Sequence, residues 1–398
     1  MLTTPFYDRT SELNTTGLWG HWAGYLSAEK YHHSEKFEYF AVRTAAGVYD
    51  TSPLYKYRIH GSDAEAFLGG VLARDIRTCR PGQAHYTIWC DDDGYVIEDG
   101  VILRLSDNEF LLSAAEPNLS YFRDKIGYDR VEVEDVSAEL ASFAFQGPKT
   151  REILSKLTSD VEDLKYFDVT DTKIDTTPIT LSRTGFTGDL GYELWIPKES
   201  ALDVWDAVFE ASEGHHVVPF GETALLMTRI EAGLLLIDAD FHPSRYAWTD
   251  AQKSTPLELG MRWMFATIDD TTRPFVGREA IMREMREGAR LHQVGLVLDW
   301  QQWDETYRSL GHPAPKDHTP LAEETIMYHG PDRDNVGYAT SFMYSPMAQR
   351  HIAMARLTPE IAKPGNKVSY EIGIDHQLYY VDAEVTPMPF YNPPHKTA

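Results

Sequence analysis

Three glycines and a carboxylate stand together in the run Ser182-Arg183-Thr184-Gly185-Phe186-Thr187-Gly188-Asp189-Leu190-Gly191-Tyr192-Glu193. Gly185, Gly188 and Gly191 recur every three residues, which suits neither the helical nor the strand period. Glycine tolerates positive φ and lets other atoms come close to the backbone, so the run reads as a tight loop. Its flanks, 177–182 and 192–196, are rich in β-branched and aromatic residues and read as strands. A carboxylate fixed just past such a loop can accept two parallel hydrogen bonds, the pattern that a guanidine-like or aminopyrimidinone ring edge offers. Glu193 is the leading candidate for a ligand contact.

A second acid, Asp99, sits beside Glu98 in an otherwise apolar strand, with Val96-Ile97 before the pair and Val101-Ile102 after it. Adjacent strand residues face opposite sides, so the two carboxylates are split between the faces of their sheet. Metal chemistry finds little support. His32-His33 and His215-His216 are adjacent pairs that point apart on regular structure, and Asp91-Asp92-Asp93-Gly94 has the composition of a turn. The expectation is no metal.

These residues need a scaffold. Residues 37–46 have helical periodicity and stop at Gly47, read as a C-terminal cap, while Ser62-Asp63-Ala64-Glu65 reads as a capping box opening a short helix. Strand signals at 86–90, 95–105 and 109–114, separated by turn formers, predict an antiparallel meander with helices on one face. Further helices are expected near 200–212, 223–232 and 277–287. Beyond Arg290, short strands at 293–298, 325–329, 336–340, 351–357, 367–372 and 378–385 predict a C-terminal β-barrel or sandwich. The pattern is an α+β body followed by an all-β domain.

At 398 residues, with 42% hydrophobic and 25% charged residues, the chain is expected to form two or three soluble domains. A net charge of −24 argues against nucleic acid and anionic membranes as partners, since both require a basic footprint. No apolar stretch approaches the ~18 residues of a membrane span, and the first residues lack a basic region followed by an apolar core, so the expected location is cytoplasmic. Cys79 and Cys90 are too few and too isolated for a disulfide framework.

The glycine run resembles the signature of the glycine-cleavage T-protein family, the folate-dependent aminomethyltransferases, whose usual form is S-R-T-G-Y-T-G-E-D-G-F-E. Other resemblances follow in order: Thr4-Pro5-Phe6-Tyr7-Asp8, Ala41-Val42-Arg43 to Gly47-Val48-Tyr49-Asp50, Gly94-Tyr95-Val96-Ile97-Glu98-Asp99, Phe145-Gln146-Gly147-Pro148 and Arg229-Ile230-Glu231-Ala232-Gly233. Thr255-Pro256, Phe275-Val276-Gly277-Arg278-Glu279-Ala280, Thr340-Ser341 and Pro389-Phe390-Tyr391 carry them to the C-terminus. The resemblance implies an α+β fold of three domains in a cloverleaf around a central folate site. Residues 1–53 and 140–260 would form a discontinuous first domain, 54–139 an inserted domain, 261–289 a helical connection and 290–398 the β-barrel domain. It implies tetrahydrofolate as co-substrate, with Asp99 catalytic and oriented toward the folate, Glu193 clamping the pterin edge and Tyr86 bordering it. Arg229 is read as structural. Folate carries an anionic tail, so an acidic chain needs a local basic site that composition does not reveal. Residues 301–317, charged and proline-bearing, look like an extension relative to the family and are expected to form a surface loop.

Several positions depart from the family pattern. F-D-V-S-H-M becomes Tyr49-Asp50-Thr51-Ser52-Pro53-Leu54, N-A-A-N becomes Ser113-Ala114-Ala115-Glu116, and Leu225 stands where a second arginine is frequent. An early stretch is replaced by Trp19-Gly20-His21-Trp22-Ala23-Gly24-Tyr25, whose ring faces would attract a methylated cation. Trp19, His21, Trp22 and Tyr25 are therefore candidate substrate residues. The departures favour a branch similar to dimethylsulfoniopropionate demethylase, which moves a methyl group from a small sulfonium, ammonium or methoxy donor to N5 of tetrahydrofolate. The alternatives are an aminomethyltransferase acting on a lipoyl carrier protein and a non-catalytic folate-binding protein. The last is disfavoured because Arg183 to Asp189 lacks the cysteine of the K-G-C-[FY]-x-G-Q-E motif.

Overall fold

Apolar strands broken by turns build three large sheets in the computed structural model, which describes residues 1–316 and 318–397. The first sheet runs in the order Val169–Ile174, Thr177–Ser182, Gly191–Pro197, Leu140–Gln146, Ala46–Asp50 and Val217–Pro219. Its last pair is parallel and the others antiparallel. The second, wholly antiparallel, is ordered Gln83–Cys90, Val96–Arg104, Glu109–Ala114, Tyr55–His60 and Glu132–Asp135. Its strands fall in the chain between Asp50 and Leu140, two neighbours in the first sheet. The third sheet closes into the expected barrel, ordered His292–Leu298, Arg350–Leu357, Asp334–Ser345, Thr325–His329, Lys367–Ile374 and Gln377–Thr386.

Each sheet buries a core of its own, but one further core draws on all three. It holds Tyr49 and Ala144 from the first sheet, Ile88 and Val96 from the second, and Met343, Ile352 and Met354 from the barrel. Ala224, Met227 and Ile230 of helix Glu222–Glu231 belong to it as well. A helix shows such a stripe when residues three and four apart are apolar. Burial here is what fixes the three sheets against each other, and residues at its margin belong to more than one part of the fold. Among the described residues no helix is long and apolar enough to cross a membrane.

Three local expectations need correction. Gly47 does not cap the helix Glu35–Thr44, whose C-cap is Ala45; it lies within strand Ala46–Asp50. A Cβ there would stand 2.6 Å from Phe220 Cδ1 and 2.8 Å from Val42 Cγ2, so the glycine provides clearance rather than a turn. Asp63 precedes helix Ala64–Val71 without a side-chain cap bond, because its carboxylate accepts from the backbone N–H and guanidinium of Arg130 at 2.8 and 3.1 Å. Residues 301–309, about half of the expected surface loop, belong to the helix Trp300–Ser309, capped by Asp299 accepting from the Gln302 N–H at 2.9 Å. Trp300, Trp303 and Tyr307 recur at three- and four-residue spacing, and the ring of buried Trp303 lies 4.2 Å from that of His351 on the barrel. Charge and proline hid this stripe. Asp317 lies outside the described residues.

Candidate functional site

The glycine run forms a loop, residues 183–190, joining strands Thr177–Ser182 and Gly191–Pro197. Its glycines serve two different needs. Gly188 has φ +74°, a left-handed conformation costly to residues with a Cβ. Gly185 and Gly191 instead make room for the side chain of Gln146, which a Cβ at either position would meet at 2.0–2.3 Å. Gln146 in turn donates to the carbonyls of Thr184 and Tyr192 at 3.2 and 3.3 Å and accepts from Thr187 Oγ1 at 2.9 Å. The loop is thus wrapped around one buried amide.

Glu193 follows on the emerging strand. One of its oxygens accepts a short hydrogen bond from Thr184 Oγ1, and the other takes none among the described residues. Burial raises its pKa, with the Thr184 bond opposing. Glu193 therefore keeps a half-free carboxylate between Ser182 on one neighbouring strand and Ala144 on the other.

Asp99 and Glu98 are split as the strand period requires. Glu98, fully buried, accepts from the backbone N–H groups of Ala115 and Glu116 at 2.7 and 2.8 Å and from Asn118 Nδ2. It is a structural anchor for residues 115–118, and burial lifts its carboxyl to about 8. Asp99 faces the other side, where it accepts from the Tyr86 hydroxyl at 2.8 Å. Burial pushes its carboxyl up to about 6, against the pull of the Tyr86 bond. Two expected site residues are therefore in direct contact, and the first acid of the pair is excluded from the site.

Strand register relates this pair to Glu193. Asp99 stands opposite Ile88 in the second sheet, and Glu193 stands opposite Ala144, itself opposite Tyr49, in the first. Ile88, Ala144 and Tyr49 all belong to the shared core, and Tyr86 packs at its margin. Both carboxylates thus border one apolar centre. Leu225 and Trp22 also pack at that margin. A flat ligand with a polar edge needs this combination of apolar walls and few oriented polar groups.

The four aromatic-segment candidates do not converge. Trp19–Trp22 and Tyr25–Ala28 form a two-stranded hairpin in which Trp22 pairs with Tyr25 and His21 with Leu26. Alternation places Trp22 and Tyr25 on one face, Trp19 and His21 on the other. Trp22 approaches Tyr49, with ring centres 6.1 Å apart, whereas Trp19 meets Tyr7 at 5.4 Å. Beside Trp19 the enclosed space among Tyr31, Tyr49, Asp50 and Phe220 is about 10 Å³, room for about one water. His21 Nε2 accepts from the Gly24 N–H at 3.1 Å.

Two other features lie apart. An open groove of about 650 Å³ between residues 80–83 and 159–170 contains neither Asp99 nor Glu193. Asp160, Glu162, Asp163 and Asp168 line it, so it is a solvated acidic cleft. His60, Glu132 and Glu134 bring ligand atoms within 4.8 Å of one another on the edge strand Glu132–Asp135 and its neighbour Tyr55–His60 in the second sheet, in a partly to fully exposed position.

Several residues behind the site escape sequence reasoning. Arg43 Nη2 pairs with Glu231 at 2.7 Å, Arg43 Nη1 donates to the Thr187 carbonyl at 2.8 Å, and Asp189 accepts from His395 Nε2 at 2.6 Å. Arg43 and Glu231 sit in two motifs quoted above, yet 188 positions separate them. Arg229 is buried as a structural residue, its Nη1 2.5 Å from Asp240. Asp240 also accepts from Thr340 and Ser341 of the barrel at 2.6 and 2.7 Å.

Comparison with known proteins extends over most of the chain. The GCVT N-terminal domain family matches residues 6–268, and the glycine cleavage T-protein C-terminal barrel domain matches residues 312–392. An aminomethyltransferase of Caldanaerobacter subterraneus subsp. tengcongensis is 30% identical over 341 residues, covering 83% of this chain and 82% of its own. The aminomethyltransferase of Bacillus subtilis is 29% identical over 368 residues, covering 90% and 91%. The crystal structure of glycine cleavage system aminomethyltransferase T from Bartonella henselae superposes with a TM-score of 0.82 at 20% identity, covering 98% of each chain.

Proposed function

The chain belongs to the glycine cleavage T-protein family, and we propose that it is a tetrahydrofolate-dependent one-carbon transferase of the aminomethyltransferase kind. The observation that carries this reading is the pair of carboxylates, Asp99 and Glu193, on different sheets beside one apolar centre. Relatives named aminomethyltransferase over more than four-fifths of their length support it. With the function goes a division of the chain into residues 1–53 with 140–260, 54–139, 261–289 and 290–398, supported by the membership of the three sheets.

The residues fit a reduced pterin. Glu193 has an acceptor oxygen with no other partner among the described residues, and the edge of an aminopyrimidinone ring presents donors. Tetrahydrofolate, when bound, supplies the amine nitrogens that receive the carbon. Glu193 fixes the ring in orientation. Asp99, ionised above about pH 6, holds a negative charge where an amine becomes cationic. Tyr86 aims that carboxylate through its hydroxyl and keeps it ionised nearer neutrality than burial alone would allow. Alignment of two reactants can be worth ~7–11 kcal/mol, which suits a transfer that needs no covalent enzyme intermediate.

On this reading the donor is an aminomethyl group on a lipoyl-bearing carrier protein. A second reading, methyl transfer from a small methylated cation, is favoured by Leu225 in place of arginine and by Trp22 and Tyr25 sharing one face of the hairpin. Incubation with tetrahydrofolate and either an aminomethylated lipoyl carrier or small methylated donors separates the two. Formation of 5,10-methylenetetrahydrofolate with the carrier supports the first reading. Formation of 5-methyltetrahydrofolate only, from a small donor, replaces it with the second. Turnover of neither refutes both.

A further inference from the structure

Four arginines fall within residues 72–77 and 263–279, two segments that meet at Asp75. Arg77 pairs with Asp75 and Asp270, each at 2.8 Å. Arg273 lies 3.8 Å from Asp75 and donates to the Leu72 and Ala73 carbonyls at 2.6 and 3.0 Å, and Arg278 pairs with Glu279 at 2.8 Å. Arg74 alone of these four has no carboxylate partner among the described residues. Its Nη1 donates to the Tyr86 carbonyl at 3.2 Å, and its guanidinium stands 5.2 Å from the centre of the Trp263 ring. Burial lowers its pKa, and no carboxylate opposes the effect. A half-buried cation without a counter-charge is a costly arrangement, the more conspicuous in a chain of net charge −24. Trp263 adds a flat apolar surface, 55% exposed, at the same place.

We propose that Arg74, set against Trp263, binds the anionic carboxylate tail of the reduced folate and is the basic site that this acidic chain requires. The inference rests on the folate reading above. Arg74 is bonded to the main chain of Tyr86, and the hydroxyl at the other end of that residue meets Asp99. A ligand with its reactive nitrogen at Asp99 would therefore reach Arg74 by extending along one tyrosine. A guanidinium accepts a carboxylate through two parallel bonds, and the exposed indole offers a stacking face to the aromatic ring between pterin and tail.

Calorimetry with tetrahydrofolate and with 6-methyltetrahydropterin, which has the reduced ring but no tail, tests the assignment on the full chain. Arg74→Gln keeps a donor for the Tyr86 carbonyl and removes the charge. The expected result is tetrahydrofolate binding weakened about tenfold, the size of one lost charge-assisted bond, with pterin binding unchanged and the difference shrinking at high salt. Equal losses for both ligands would mean that Arg74 only supports Tyr86, and no loss for either would remove it from the site; both outcomes overturn the inference while the folate reading stands. A wild-type protein that binds neither ligand refutes the folate reading, and this inference with it. Should Arg74→Gln fail to fold, Trp263→Ala replaces it, since the ring is largely exposed. The same selective loss of tetrahydrofolate is expected, and an unchanged affinity overturns the proposal.

Discussion

Replacing Tyr86 with phenylalanine removes one hydroxyl from the site and little else, which makes it the sharpest probe of how Asp99 works. That hydroxyl donates to the Asp99 carboxylate at 2.8 Å and holds its pKa down against burial. A hydrogen bond to a charged group contributes about 1.5–3 kcal/mol, and 1.36 kcal/mol corresponds to about one pKa unit, so the variant's carboxyl should rise by about one to two units. In the wild type, Asp99 titrates at about 6, and transfer should fall as pH drops through that value. In Tyr86→Phe the same fall should begin about one to two units higher, with the two proteins converging at alkaline pH, where Asp99 is ionised in both. The assay is kcat/KM for tetrahydrofolate across roughly pH 5 to 9, enough to contain both limbs. An acid limb with an unmoved midpoint, or a uniform loss at every pH, would show that Tyr86 does not act through the ionisation of Asp99.

Three further substitutions test separate parts of the structure. Asp99→Asn should abolish transfer yet stabilise the fold at neutral pH. Asp99 rises from 3.8 to about 6 on folding, so its burial costs up to about 3 kcal/mol above pH 6, and this cost fades as pH falls toward 3.8. Urea unfolding should show the variant ahead at pH 7.5 and level with wild type near pH 4; equal stability at both values contradicts the assigned burial. Glu193→Gln should weaken tetrahydrofolate about 10- to 100-fold by removing a charged acceptor, measured by calorimetry, and an unchanged affinity would take Glu193 out of the pterin contact. Arg229→Leu leaves the buried Asp240 without its cation, which should cost about 3–5 kcal/mol in urea unfolding; a loss below about 1 kcal/mol would contradict a structural role for the pair.

What could be read from the chain beforehand was what depends on short-range chemistry. The glycine run had to be a loop because its spacing fits no regular element. The Glu98 and Asp99 side chains had to diverge because strands alternate. The barrel strands announced themselves by β-branched residues between turn formers. Partnerships over long separations were not legible: nothing near Gly185 or Gly191 indicates that the side chain of Gln146 occupies the space a Cβ would need. Nor does anything local join Arg43 to Glu231 or Asp189 to His395. Where two local signals compete, the weaker can win. Charge and proline marked residues 301–317 as a loop, while the stripe of Trp300, Trp303 and Tyr307 folded about half of that stretch onto the barrel as a helix.

A structure determined with tetrahydrofolate bound tests the central claim most directly. The account predicts the pterin edge within hydrogen-bond reach of Glu193, on the oxygen that Thr184 does not occupy, and the reactive nitrogens facing Asp99 across the apolar centre. A ring seated elsewhere, such as the acidic cleft between residues 80–83 and 159–170, or a ring in the centre that touches neither carboxylate, would contradict it.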